Sequence, residues 1–216
     1  MPEDFQPLPD GEFLALAWPT RRRDLFTHPA AYVACTRANP NYGQPGWTRD
    51  AGKRLHRGVD IAPERVRPAG RTVHLMFTDL ATGAEYASDE PAWIPEDEAF
   101  AVADGVVVEA VTCEDDSDFG LHVVLRHAWP ACGKAFFTLY GHLGSVAVGL
   151  GQVVRAGAAL GDLGTTSRIA DARNWMAAAP HLHFEARDEK QRRYNPLEFL
   201  RRFLMHAGGP RAVAAD

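Results

Sequence analysis

With 216 residues, 46% of them hydrophobic and 24% charged, the chain is long enough to bury a real core and has the composition of one soluble globular domain with elaborations. A net charge of -5 argues against a nucleic-acid partner held by counterion release. No run of residues approaches the roughly 20 apolar positions of a membrane-spanning helix.

Residues 1–40 mix proline, charge and short apolar pieces, which predicts an N-terminal segment wrapping a main domain over residues 41–200. FLALAW at residues 13–18 is too short for the apolar stretch of a secretory signal and follows acidic residues. The expectation is a cytoplasmic protein as the chain stands, or a cell-envelope one if it is a mature form. The RRR cluster at residues 21–23 reads as solvated surface. NPNYGQPGW at residues 39–47 is a turn-rich approach to HRGVDIA at residues 56–62, read as one strand with Val59 and Ile61 facing opposite to His56 and Asp60.

Residues 63–98 break this pattern and read as an insertion, with a possible strand at Thr72 to Phe77, a turn at TGAE and the acidic run EDE at residues 96–98. AFAVADGVVVEAV at residues 99–111 predicts two short strands about an Asp-Gly turn. LHVVLR at residues 121–126 and AFFTLY at residues 135–140 form an expected hairpin, and short strands continue at QVV and ALGDLG. The alanines of TTSRIADARNWMAAA, residues 165–179, favour helix just before the HLHF strand. NPLEFLRRFLMHA carries a helix start, with Asn195 as N-cap, Pro196 at the first helical position and Glu198 three residues after the cap. Its Leu197, Leu200 and Leu204 make an apolar stripe, and residues 201–216 are the helix end and tail. The fold class is thus mainly β, a small antiparallel, half-barrel-like core with a groove, a long insertion and a C-terminal helix.

The chemistry sits in two short motifs. In HRGVD, His56 and Asp60 can face the same way on a strand, and in HLHFE so can His181 and His183. Positions two apart on a strand lie about 6.6 Å apart, which suits one ligand and one proton-transfer group around a common centre. Two imidazoles and a carboxylate, His56, Asp60 and His183, would give zinc three protein ligands and leave its fourth position to water, as in a catalytic and not a closed structural site. YGHL at residues 140–143 ends the second hairpin strand, with Tyr140 and His142 on one face under period-two alternation. Taken alone, His142 is an ordinary strand-end histidine and His-x-x-x-Asp a chance pairing.

The ordered set HRGVDIA, ADGVVV, YGHL, GQVVRAGAALGDLG, PHLHFE and NPLEFL resembles the lysostaphin-type zinc metalloendopeptidases, which cut peptide cross-bridges and stems of bacterial cell walls. The likeness covers about residues 42–62 and 99–200. It implies one zinc ion on His56, Asp60 and His183, catalytic histidines at His142 and His181, and extended peptidoglycan peptides as partners. Zinc would polarise the scissile carbonyl and acidify its water toward pH 7. No His-Glu-x-x-His helix supplies a carboxylate base, so proton transfer falls to imidazole, with the order of His142 and His181 left open. Glu185 shares the face of His183 and either orients that ligand or makes a surface salt bridge. Tyr42 is the nearest candidate for a tyrosine that some members use near the zinc.

Two departures from the family pattern, residues 63–98 and 164–180, are expected to border the groove and bring Trp93 and Trp175 near a substrate. His28, His74, His122, His127 and His206 lie outside every motif and read as structural or surface residues. Cys35, Cys113 and Cys132 lack Cys-x-x-Cys spacing; Cys113 and Cys132, near strand ends, could approach each other, while the odd count fits a reducing compartment. Two other functions compete with the wall endopeptidase: a non-catalytic binding or regulatory module of the same fold, and a zinc hydrolase with a non-wall peptide substrate.

Overall fold

The structure is a computed structural model and describes residues 4–12, 14–33, 41–49, 52–78, 84–113, 116–168 and 180–204. In chain order the strands are β1 (Gly46–Arg49), β2 (Arg54–His56), β3 (Val59–Ile61), β4 (Val66–Thr78), β5 (Glu85–Pro95), β6 (Glu98–Phe100), β7 (Gly105–Val111), β8 (Leu121–Ala128), β9 (Ala135–Leu143), β10 (Val153–Val154), β11 (Ala159–Asp162), β12 (Leu182–Asp188) and β13 (Arg193–Tyr194). One α-helix follows, α1 (Pro196–Leu204). The main sheet runs β10-β7-β8-β9-β12, and the far edge of β12 is shared end to end by β3, which pairs with Leu182 to Phe184, and β13, which pairs with Ala186 and Arg187. The mainly β reading of the sequence holds. No described helix is long and apolar enough to cross a membrane.

Residues opposite one another in an antiparallel ladder share a face, so the register sorts the sheet into two. Val123, Tyr140, Phe184 and Val59 line up on one face, each 0% exposed. Leu139, Gly141, His183, Glu185 and Asp60 line up on the other. The first face is the core. There α1 lays down Phe199 and Phe203, with Phe199 5.8 Å from Phe136 and Trp129 4.3 Å from Phe136 between ring centres. Truncating either helix phenylalanine to alanine removes a side chain worth about 3–5 kcal/mol. Asn195 caps the helix as expected, its Oδ1 accepting from the N–H groups of Leu197 at 3.0 Å and Glu198 at 3.2 Å. The buried stripe is Phe199, Leu200, Phe203 and Leu204, with Leu197 at its margin.

The N-terminal segment crosses the domain through backbone bonds from Gln6 N–H to Arg193 O, from Ala17 N–H to Val102 O and from Phe100 N–H to Pro19 O. Residues 63–98, where the sequence suggests a strand at Thr72 to Phe77, form a long two-stranded ribbon of β4 and β5 with a bulge between Pro68 and Thr72. Asp97 clamps its root. Buried to 3% exposure, its Oδ1 accepts from Arg21 and Glu98 N–H at 3.0 and 2.8 Å, and its Oδ2 from Glu64 N–H at 3.1 Å.

Other expectations shift. HRGVDIA is not one strand, because the chain breaks between β2 and β3 at Arg57 and Gly58. Cys113 and Cys132 are exposed and unlinked. Cys113 follows the end of β7 that pairs with the start of β8, and Cys132 lies beyond the other end of β8, so the eight residues of that strand hold them roughly 25 Å apart. Cys35, His206, Trp175, the tip of the TGAE turn and residues 169–179 of the expected helix lie outside the described residues, while residues 165–168 are not helical.

Of the histidines outside the motifs, His28 accepts from Ala30 N–H and His74 pairs with Asp89 at the surface. His122 and His127 are buried. His127 donates from Nδ1 to Asp104 O at 2.8 Å, has Thr138 Oγ1 2.8 Å from Nε2, and stacks on Phe136. Burial pushes its pKa down to about 4, against the pull of the Asp104 carbonyl. A histidine that is neutral when folded but takes a proton near pH 6.5 when unfolded stabilises the fold fully above pH 6.5 and loses that contribution as pH falls toward 4. The loss is on the order of 3 kcal/mol. Urea midpoints should therefore fall less between pH 7 and 4.5 in His127→Gln than in the native chain; equal slopes would assign the acid sensitivity elsewhere.

Candidate metal centre

The site lies on the sheet face opposite the core, where β3, β12 and the end of β9 meet. Asp60 and His183 are direct cross-strand partners. His56 arrives from β2 across the break, where Gly58 makes room for the His183 ring: a Cβ there would clash with Cε1 of that imidazole. Any larger residue displaces that imidazole.

The three side chains converge. His56, Asp60 and His183 are 6%, 1% and 6% exposed, and each offers a ligand atom within 4.8 Å of the other two. His56 donates from Nδ1 to Gln44 O at 2.9 Å, which leaves the lone pair on Nε2 facing the cluster. That Nε2 lies 3.4 Å from His183 Nδ1 and 3.3 Å from Asp60 Oδ1. His183 lies between two carboxylates, with Nδ1 2.8 Å from Asp60 Oδ1 and Nε2 3.2 Å from Glu185 Oε1. Burial lowers the His183 pKa, but the bonds and charges of Asp60 and Glu185 outweigh it and hold the ring at about 9. Burial likewise raises the Asp60 pKa, and the surrounding His56, Arg49 and His181 outweigh it and keep the carboxyl well below the usual range. One anion and two imidazole nitrogens aimed inward, each anchored from behind, are a donor set that fits a borderline divalent ion such as zinc. An ion held there would take the place of the Nδ1 proton of His183.

Glu185 settles on the orienting side of its two readings. It is 2% exposed and held in turn by Arg187 Nε at 2.7 Å and Arg193 Nε at 3.2 Å. Glu185→Gln should keep the hydrogen bond but weaken the charge behind His183, lowering metal affinity by about 10- to 100-fold; chelator competition that finds no change would make Glu185 a packing residue.

His142 and His181 flank the cluster. The His142 ring centre is 5.0 Å from that of His181 and 5.6 Å from that of His183, and His181 Nε2 lies 3.8 Å from Asp60 Oδ2. The sequence places Tyr140 and His142 on one face, and the structure separates them. Tyr140 is in the core, its hydroxyl oxygen accepting from Val102 N–H at 2.9 Å. His142 turns to the site because β9 bulges against β8 between the pairs Leu121↔Leu143 and Val123↔Tyr140, and His142 takes up the extra residue at φ 62. A left-handed histidine is a costly local conformation that the surrounding bonds must over-determine. Here His142 N–H donates to Phe119 O at 2.7 Å and Nδ1–H to Thr166 O at 2.8 Å. Burial, then His181 and His183, push the His142 pKa well below its usual value.

Two neighbours escape sequence reasoning. Phe119 lies 5.3 Å from the His183 ring, and Arg49 donates from Nη2 to His56 Nε2 at 2.9 Å and pairs with Asp60. Neither belongs to a motif, and nothing in their spacing announces them. Tyr42 lies under the Arg49 guanidinium, 3.6 Å from the ring centre. The insertion also reaches this end of the sheet. Ala69, Arg71, Trp93, Ile94 and Pro95 face Gly144 and residues 163–166 across a cavity of about 350 Å³. That wall is continuous with the site, since Gly164 bridges to His181 and Thr166 holds His142.

No curated protein matches the chain significantly. Among solved structures, the catalytic domain of lysostaphin from Staphylococcus simulans is 21% identical over 74% of this chain and 90% of its own, with a TM-score of 0.45. The catalytic domain of the prophage-encoded M23 protein EnpA from Enterococcus faecalis is 19% identical over 66% and 77%, with a TM-score of 0.39. A zinc-containing peptidase from Vibrio cholerae is 22% identical over 62% of this chain and 36% of its own, with a TM-score of 0.34. The profile of peptidase family M23 matches residues 91–196, which contain His142, His181 and His183, while the fold supplies His56 and Asp60 from outside that stretch. Over residues 91–196, the chain belongs to peptidase family M23.

Proposed function

We propose that this protein is a zinc endopeptidase that hydrolyses peptide bonds in bacterial cell-wall peptidoglycan, with His56, Asp60 and His183 as ligands and His142 and His181 moving protons. The observation that carries the reading is the convergence of three inward-facing donor atoms within 4.8 Å, flanked by two further buried imidazoles. Bound zinc supplies Lewis acidity toward a carbonyl and a water acidified toward pH 7. The protein residues do the rest. His142, neutral and with Nδ1–H committed to Thr166 O, offers Nε2 as a proton acceptor. That leaves His181 to donate to the oxyanion or the leaving amine. Asp60, shared among His56, His181 and His183, holds the cluster's charge balance.

The ribbon of β4 and β5 narrows the approach to an extended peptide, with Arg71 and Trp93 on its wall. Activity on purified wall against short soluble peptides, each with zinc loaded and stripped, tests the reading. Hydrolysis of wall fragments that chelation abolishes and zinc restores is the expected result. A stoichiometrically zinc-loaded protein that cleaves only soluble peptides would be a non-wall hydrolase, and one that cleaves neither would be a binding module.

A further inference from the structure

We propose that Arg49 is an internal competitor for the metal, a guanidinium that holds the lone pairs a divalent ion needs and must swing aside to admit it. The inference rests on the metal-centre reading above and concerns what sets the affinity of that centre. Arg49 ends β1, ahead of β2 and outside the stretch matched by the family profile. Its side chain is 9% exposed and projects into the cluster. There Nη2 donates to His56 Nε2 at 2.9 Å and forms an ion pair with Asp60 Oδ2.

The conflict is specific to those atoms. His56 donates its Nδ1 proton to Gln44 O, so Nε2 has a single lone pair facing inward, and one lone pair cannot accept an N–H and bind a metal at once. Asp60 has lone pairs to spare, yet keeping Arg49 on it would set a fixed positive charge beside a dication in a buried site. Both considerations drive the guanidinium out when metal enters.

Two features make the movement feasible. Arg49 Nε is buried with no hydrogen-bond partner among the described residues, so the inward pose is only partly satisfied. The guanidinium also stacks on the Tyr42 ring at 3.6 Å, a face along which it can slide outward without losing its cation–π contact. Arg49 thus neutralises Asp60 and occupies His56 until a metal with greater affinity displaces it, which keeps weakly bound ions from filling the site.

Zinc affinity by competition with a fluorescent chelator, and the zinc-induced shift in melting temperature, read this directly on the full chain. Arg49→Met should bind zinc about 10- to 100-fold more tightly than the native chain, the equivalent of one charge-assisted hydrogen bond no longer surrendered. Without zinc it should melt lower, because Asp60 loses its partner, so its melting shift on adding zinc should be the larger. Arg49→Gln, which keeps a polar side chain beside Asp60 but carries no fixed charge, should tighten zinc binding in the same direction and serves if Arg49→Met folds poorly. Equal or weaker zinc binding in both variants would overturn the proposal and make Arg49 a support for Asp60. Failure of the native chain and both variants to bind zinc would instead remove the metal centre itself, and this inference with it.

Discussion

Asp60→Ala is expected to abolish stoichiometric zinc binding. It removes the single anion of the proposed ligand set, and the effect should exceed the roughly 100-fold cost of losing a partner that merely orients a ligand. The same carboxylate neutralises Arg49 and the raised charge of His183, both buried beside it. Taking away one member of such a group strands the others, at about 3–5 kcal/mol. Asp60→Asn, isosteric and able to accept hydrogen bonds, should retain more stability and still lose most of the metal. Metal analysis and thermal melts separate the two effects. A chelator-free preparation of Asp60→Ala with one zinc per chain would show that the ligand set has been misassigned.

The second large effect concerns turnover without metal loss. His142→Asn and His181→Ala should keep zinc and fold while activity falls by about a hundred- to ten-thousand-fold, the usual contribution of a group that transfers protons. Asparagine is chosen at position 142 because that residue sits at φ 62, where asparagine is tolerated and most side chains are strained. If either variant loses zinc as readily as His183→Ala, the separation between ligands and proton carriers fails.

Much of this site was legible because its residues obey strand arithmetic. His183 and Glu185 alternate along β12 as a period of two requires, and His181, one residue before that strand, continues the same period toward Asp60. The failures occur where the backbone departs from that period. The break at Gly58 puts His56 and Asp60 on different strands, and their convergence depends on a glycine yielding space to a ring from 125 residues further along, a contact no local pattern encodes. The bulge at His142 adds one residue and so reverses a face assignment made by counting. The β4–β5 ribbon was underestimated for a different reason. It is a two-stranded element with little apolar alternation, interrupted by Pro68, Gly70 and Pro91, and held at its root by the buried Asp97. Arg49 illustrates the remaining gap: a lone arginine has no sequence signature for where its guanidinium will end.

The place of β12 in the sheet also dictates when the proposed ligand set can come together. Asp60 and His183 are 123 positions apart and meet only after β12 has docked between β9 on one edge and β3 on the other. Such long-range pairing closes late, since loop entropy must be spent before the contacts form. A growing chain on the ribosome that has not yet released β12 offers a metal only His56 and Asp60, too few ligands to retain it. On the proposed ligand set, zinc uptake would accordingly follow the docking of β12, and binding of the ion would report a finished fold.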